Sequence, residues 1–193
     1  NILVRMAEKV ADKMGYEHTG VKHLGGPMTM NLGHSDMDAS RIALGCMRMA
    51  ELSDQEAAKL VNIALEEGIT LFDHADIYGG GQSEIVFGKV LAENKGIRDR
   101  IRIQTKCGIC KGYYDLSKEH IIESVDNSLS RLQTDYVDLL LLHRPDALMD
   151  GEEIAEAFDI LKKSGKVKQF GVSNFNGAQI SYLRATCSQP LLV

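Results

Sequence analysis

From residue 41 onward the apolar and polar positions follow two alternating rhythms. Short, almost unbroken apolar runs occupy residues 42–46, 69–73, 101–106, 137–143, 167–173 and 191–193. Between them, apolar residues recur three and four positions apart, the spacing of a helix with one buried face. These helical stretches cover residues 54–67, 83–94, 117–132, 152–164 and 177–185. Ser53 is placed to cap the first and Gly68 to stop it, Ser117 stands at the start of the third, and Gly165 stops the fourth. In the third stretch Ile121, Val125, Leu129 and Leu132 form the apolar stripe. Upstream, residues 1–20 read as an amphipathic helix, with Leu3, Met6, Val10 and Met14 opposite Arg5, Glu8, Lys9, Asp12 and Lys13. Residues 20–27 read as a linker. The expected organisation is thus an N-terminal extension over 1–27, with no assigned function, and a domain over 28–193.

Strands alternating with helices imply βαβ units on a parallel sheet. Runs that are apolar throughout suit strands covered by helices. Both an open doubly wound sheet and an eight-stranded barrel fit this rhythm, and the polar residues separate them. Asp73, Lys106, His143 and the pair Ser173–Asn174 each end an apolar run, at intervals of 33, 37 and 30 residues. Each interval is about one βα unit. In a barrel such ends converge on one face, where barrel enzymes keep their active sites; in an open sheet they spread along an edge. The expected fold class is therefore α/β, a (β/α)8 TIM barrel that is incomplete, with about strands 1–6 present.

Tyr78 follows Asp73 by five residues, so one mouth would hold a carboxylate, a phenol, an ammonium and an imidazole. A phenol is a poor proton donor near neutrality unless a cation stands beside it and favours the phenolate left behind. A carboxylate paired with that cation keeps it charged and oriented, and an imidazole can hydrogen-bond a substrate oxygen. Such a set is a general-acid device for a carbonyl oxygen.

Composition narrows the functions. The apolar fraction is 44%, the charged fraction 25% and the net charge -5, with no cluster of Lys or Arg. That argues against a nucleic-acid groove or an anionic membrane as partner. No apolar run reaches the roughly 18 residues of a membrane span. Four cysteines in a chain of 193 residues, without a secretory leader pattern, read as reduced thiols of a cytoplasmic protein. Cys107 and Cys110 form a lone C-x-x-C without the second pair of ligands that zinc wants; they are expected to border the substrate mouth. Gly79-Gly80-Gly81 lacks the Lys-Ser/Thr of a phosphate loop and reads as a turn before a helix. Asp76 reads as loop structure, His74 as a core residue facing away from Asp73, and Met28, Met30, Met37, Met47 and Met49 as packing at the barrel floor.

The stretch from Phe72 through Asp73-His74-Ala75-Asp76-Ile77-Tyr78-Gly79 to Ser83-Glu84 resembles the aldo-keto reductase signature around its catalytic aspartate and tyrosine. Gln104-Thr105-Lys106 resembles the strand carrying its lysine, and Asp135-Tyr136-Val137-Asp138 through His143-Arg144-Pro145 the stretch carrying its histidine. Gly165-Lys166-Val167 through Gly171-Val172-Ser173-Asn174-Phe175 is similar to its fifth strand, and residues 30–45 to the hairpin that closes the barrel floor. The resemblance implies Asp73, Tyr78, Lys106 and His143 as catalytic residues. It also implies Gly45, Cys46, Asp73, Ser173 and Asn174 as cofactor contacts, with NADPH, or NADH, reducing a small-molecule aldehyde or ketone. It places the loop for the pyrophosphate and the basic residues for the 2′-phosphate downstream of Val193, so weak cofactor binding is expected of this chain alone. Two other readings stay open: a non-enzymatic, cofactor-sensing regulatory subunit, and an inactive fragment of the reductase. The oligomeric state is open as well.

Overall fold

The computed structural model describes residues 29–193; the expected helix and linker over 1–27, and Met28, lie outside the described residues. A two-stranded antiparallel hairpin, β1 (Thr29–Asn31) and β2 (Asp38–Ser40), precedes a five-stranded parallel sheet. The sheet runs in chain order through β3 (Ala43–Gly45), β4 (Leu71–Asp73), β5 (Arg102–Cys107), β6 (Val137–Leu142) and β7 (Val167–Val172). Five helices alternate with these strands: α1 (Asp54–Glu66), α2 (Gln82–Glu93), α3 (Lys118–Leu132), α4 (Gly151–Lys163) and α5 (Gly177–Thr186). This is an incomplete α/β barrel. The sixth run is present only as an isolated parallel bridge of Leu191 with Phe170, extended by the Leu192 amide donating to the Phe170 carbonyl at 2.8 Å. No described helix is long and apolar enough to cross a membrane.

Local chemistry sets the helix ends. Ser53 and Glu56 form a reciprocal capping box at α1, and Asn176 and Gln179 form another at α5. The Ser117 hydroxyl accepts from the His120 amide and the Asp150 carboxylate from the Glu152 amide. Each such cap satisfies an amide that the helix leaves without a partner, worth about 1 kcal/mol. The helices pack their apolar stripes on one face of the sheet. Phe158 of α4 stacks on Phe170 of β7 with ring centres 4.2 Å apart, and Phe87 of α2 meets Phe72 of β4 at 5.2 Å. Gly88 lets α2 approach α3: a Cβ there would lie 2.2 Å from the Arg131 carbonyl oxygen.

The hairpin is tied beneath the strands. The Ser40 hydroxyl accepts from the amides of Thr70 and Leu71, and Arg102 donates to the Asp38 carboxylate at 2.6 Å. The methionines expected to pack at the floor divide. Met49 is buried, whereas Met30 and Met47 are exposed, because β1 has no covering element among the described residues and Met47 sits on the loop after β3.

His74 is fully buried, as its place opposite Asp73 predicts, with its ring 4.6 Å from that of Phe87. Neither of its ring nitrogens has a hydrogen-bond partner. Burial, then the Lys106 cation, push its pKa from 6.5 down to about 3. Between those two values the unfolded chain binds a proton that the native chain refuses, so stability falls as pH drops below about 6.5. His74→Leu is expected to raise urea-unfolding stability at pH 7 by about 1–3 kcal/mol, the cost of buried polar atoms without partners, and by more at pH 5. Equal stability of the variant and the parent at both pH values would show that the ring nitrogens are satisfied in solution.

Candidate active site

Parallel strands share an orientation, so their C-terminal ends lie on one rim. Hydrogen bonds continue the sheet past the strand ends: the Cys46 amide donates to the Asp73 carbonyl, His74 to Gln104, Asp76 to Lys106, His143 to Cys107, and Ser173 to Leu142. This ladder carries the register past the strand ends, with Asp73 beside Gln104, Lys106 beside Leu141 and His143 just beyond the Cys107–Leu142 pair, so Asp73, Lys106, His143 and Ser173 all stand along this rim. Tyr78 joins them from a 3-10 turn over Tyr78–Gly81, anchored by its amide on the Ala75 carbonyl at 3.1 Å. The glycine triplet after it is a turn. Gly79, Gly80 and Gly81 all have positive φ, and a Cβ on Gly79 would stand 2.5 Å from that of Ala50.

Lys106 is the centre of the cluster and is only 6% exposed. Its ammonium donates to Asp73 Oδ1 at 2.6 Å, to the His74 carbonyl at 2.9 Å and to Tyr78 Oη at 3.1 Å. An ammonium has three protons, so every donor is used. Because Tyr78 Oη accepts from the lysine, the phenol's own proton must point elsewhere. The His143 ring stands edge-on to Tyr78, with ring centres 6.1 Å apart. Burial, then the cations of Lys106 and Arg144, push the His143 pKa from 6.5 down to about 4, against the attraction of Asp73. The imidazole is therefore neutral near pH 7. Its Nδ1 is buried without a partner, and a neutral ring can donate from Nε2.

The residues expected to contact a cofactor are arranged unequally. Gly45 pairs in register with Asp73, and nothing lies within 4 Å of where its Cβ would be, which leaves open space at the strand end. Asn174 takes a left-handed conformation with φ 65, and its amide donates to the His143 carbonyl and the Ser173 hydroxyl. Cys46 is different: its thiol is buried in the core cluster and donates to the Leu44 carbonyl, so it presents no side chain to the mouth. Burial, then the Asp73 carboxylate, push that thiol far up. Cys107 is buried as well, while Cys110 is half-buried with Sγ 3.6 Å from His120 Nε2. Among the described residues no group of His, Cys, Asp and Glu could hold a metal ion.

Two features were not read from the sequence. Gln104, in register with Asp73, donates its amide to the same Oδ1 that Lys106 holds. Alternation along β5 would have found it, since 102, 104 and 106 share one face. Behind the rim lies a buried carboxyl network. Glu84, fully buried, accepts from Arg131 Nε at 2.8 Å and from the Thr105 hydroxyl at 2.6 Å. Asp76 Oδ1, nearby, is buried with no partner. Burial, then the charge of Glu84, push the Asp76 pKa from 3.8 up to about 7. No local pattern marks it, since the repulsion comes from a helix eight residues further on.

Residues 41–191 match the model of the aldo/keto reductase family. The uncharacterized oxidoreductase YcsN of Bacillus subtilis is 46% identical over 81% of this chain and 56% of its own length. A 6-dehydroglucose reductase of Agrobacterium fabrum is 42% identical over 81% of this chain and 57% of its own. Among solved structures, an aldo-keto reductase from Bacillus halodurans in its holo form aligns with a TM-score of 0.74 at 35% identity, covering 83% of this chain and 55% of that one. A glycerol dehydrogenase from Gluconobacter oxydans aligns with a TM-score of 0.74 at 30% identity, covering 86% and 53%. The chain thus spans a little over half the length of these relatives.

The Asp76 environment has a measurable consequence. Its carboxyl binds a proton more tightly in the fold than in the unfolded chain, so stability falls as pH rises from about 3.8 to about 7. Asp76→Asn, which keeps the shape and cannot ionise, is expected to unfold like the parent at pH 4 and to be the more stable of the two at pH 8. A stability difference that does not change between those pH values would remove the buried, repelled carboxyl from the account.

Proposed function

The chain belongs to the aldo/keto reductase family, and on that premise we propose that its protein reduces aldehydes or ketones with a nicotinamide cofactor, NADPH or NADH, Tyr78 giving the proton. The observation that carries this reading is the use of the Lys106 protons. With all three committed and one of them on Tyr78 Oη, the phenol is turned into a one-way donor whose hydroxyl proton faces away from the lysine. Loss of that proton leaves a phenolate 3.1 Å from an ammonium, two opposite charges in direct contact. Asp73 keeps the ammonium oriented. His143, neutral and with Nε2 free to donate, steadies the substrate oxygen as charge builds on it.

The residues present fit the nicotinamide end of such a cofactor. Gly45 leaves open space at the end of β3, and the Ser173 hydroxyl and Asn174 side chain stand at the end of β7, locked to β6 through the His143 carbonyl. Polar groups of this type suit a carboxamide. The bound cofactor supplies hydride to the carbonyl carbon. Everything else in the reaction falls to this chain: orienting the carbonyl oxygen between Tyr78 and His143, delivering the proton, and holding the resulting phenolate beside Lys106 until solvent reprotonates it.

Two of the matched proteins are named for a dehydroglucose and for glycerol, so polyhydroxylated carbonyl compounds are the first substrates to assay, with simple aldehydes beside them. In the intact protein Tyr78→Phe deletes only the proton donor. It is expected to lower kcat roughly 10²–10⁴-fold, the usual worth of general acid catalysis, while quenching of nicotinamide fluorescence shows that the cofactor still binds. Wild-type kcat in the variant would mean that another group protonates the substrate. No turnover of any carbonyl compound by the unsubstituted protein, with cofactor bound, would replace the enzyme by a cofactor-sensing role.

A further inference from the structure

Strand β5 divides its side chains between two environments. Ile103 and Thr105 face the helices, Ile103 within the core cluster and Thr105 on the buried Glu84. Arg102, Gln104 and Lys106 face the other side and form a ladder from floor to mouth. Arg102 is committed to Asp38 of the hairpin at 2.6 Å, and Lys106 to Asp73, His74 and Tyr78. Between them, Gln104 donates to Asp73 Oδ1, the atom that also accepts from Lys106.

Resting on the reading of the cluster as a reductase site, we propose that Gln104 is a positioning residue for that reaction: its amide pins the Asp73 carboxylate so that Lys106 keeps its third proton on Tyr78. A carboxylate turns easily about its last torsion. Held by the lysine alone, Asp73 could rotate and draw the ammonium after it, off the phenol. A second donor from the same strand, two residues away, removes that freedom. The residue type matters. An amide adds a donor without a charge, so it does not compete with Lys106 as a counter-ion for Asp73. A cation there would do so, and a carboxylate would repel Asp73.

In the intact protein Gln104→Met keeps the length of the side chain and deletes the donor, and Gln104→Glu keeps its shape and sets a second carboxylate beside Asp73. Gln104→Met is expected to lower kcat for carbonyl reduction roughly 10–100-fold, the effect of a misplacement near 1 Å, with KM and melting temperature little changed. Gln104→Glu is expected to add an ionisation to the pH profile of kcat, since two adjacent carboxylates do not both stay charged. A readout independent of turnover is the 15N–1H signal of the Lys106 ammonium, whose fully bonded protons should exchange slowly in the parent and faster in both variants. Should Gln104→Met not fold, Gln104→Glu decides. Parent kcat with an unchanged Lys106 signal overturns the proposal, and so does a loss of kcat that leaves the Lys106 signal as it was. If the unsubstituted protein reduces no carbonyl compound the reductase reading fails, and the Lys106 signal alone then decides whether Gln104 positions the cluster.

Discussion

The rest of the site depends on one buried ammonium. Removing Lys106 from water costs several kcal/mol unless each of its protons finds an acceptor, and the fold meets that requirement with a carboxylate, a main-chain carbonyl and a phenol. These three acceptors come from one segment, residues 73–78, that must therefore leave β4 along a single path. The backbone bonds from His74 to Gln104 and from Asp76 to Lys106 fix that path against β5. The same lysine protons that make burial tolerable also decide which way the Tyr78 proton can go. Stability and chemistry are served by the same hydrogen bonds.

The wall behind the mouth is built with similar constraints. Strand β5 carries polar groups on both faces, with Lys106 toward the mouth and, on the other side, the Thr105 hydroxyl bonded to the buried Glu84 of α2, which is itself paired with Arg131. Such a pair contributes little net stability, but breaking it by removing one partner costs about 3–5 kcal/mol. It joins α2 to α3 across the close contact at Gly88 and so fixes the helix that begins just after the Tyr78 turn. Asp76 has no such partner and is accommodated by holding its proton near neutrality. His74 is accommodated by refusing one. The two groups give opposing slopes of stability with pH within a few residues of Tyr78.

Much of this was legible in the chain. Between residues 42 and 186 the five strands and five helices expected from periodicity match those observed to within a residue or two, and Ser53 and Ser117 cap the helices they were expected to begin. The sixth run is no more than the bridge at Leu191, and the expected helix over 1–20 lies outside the described residues. The convergence of Asp73, Tyr78, Lys106 and His143 followed from their places at strand ends. What escaped were contacts between residues distant in sequence: Gln104 on Asp73, Glu84 with Arg131, Asn174 on the His143 carbonyl. So did the burial of the Cys46 thiol and the exposure of Met30 and Met47.

The reason lies in the range of the forces. Periodicity, capping and turn chemistry act over about four residues, so the order βα, the strand ends and the identity of the groups placed there were written locally. Left-handed glycines at Gly68 and Gly165 and the serine caps needed no knowledge of the fold. Which atom of Asp73 is shared by two donors, how many protons Lys106 spends inside the protein, and whether a carboxyl at position 76 meets a cation or another carboxyl are set by strand register and helix packing. Register brings position 104 beside position 73 across 31 residues, and only the assembled sheet decides that the neighbour is an amide.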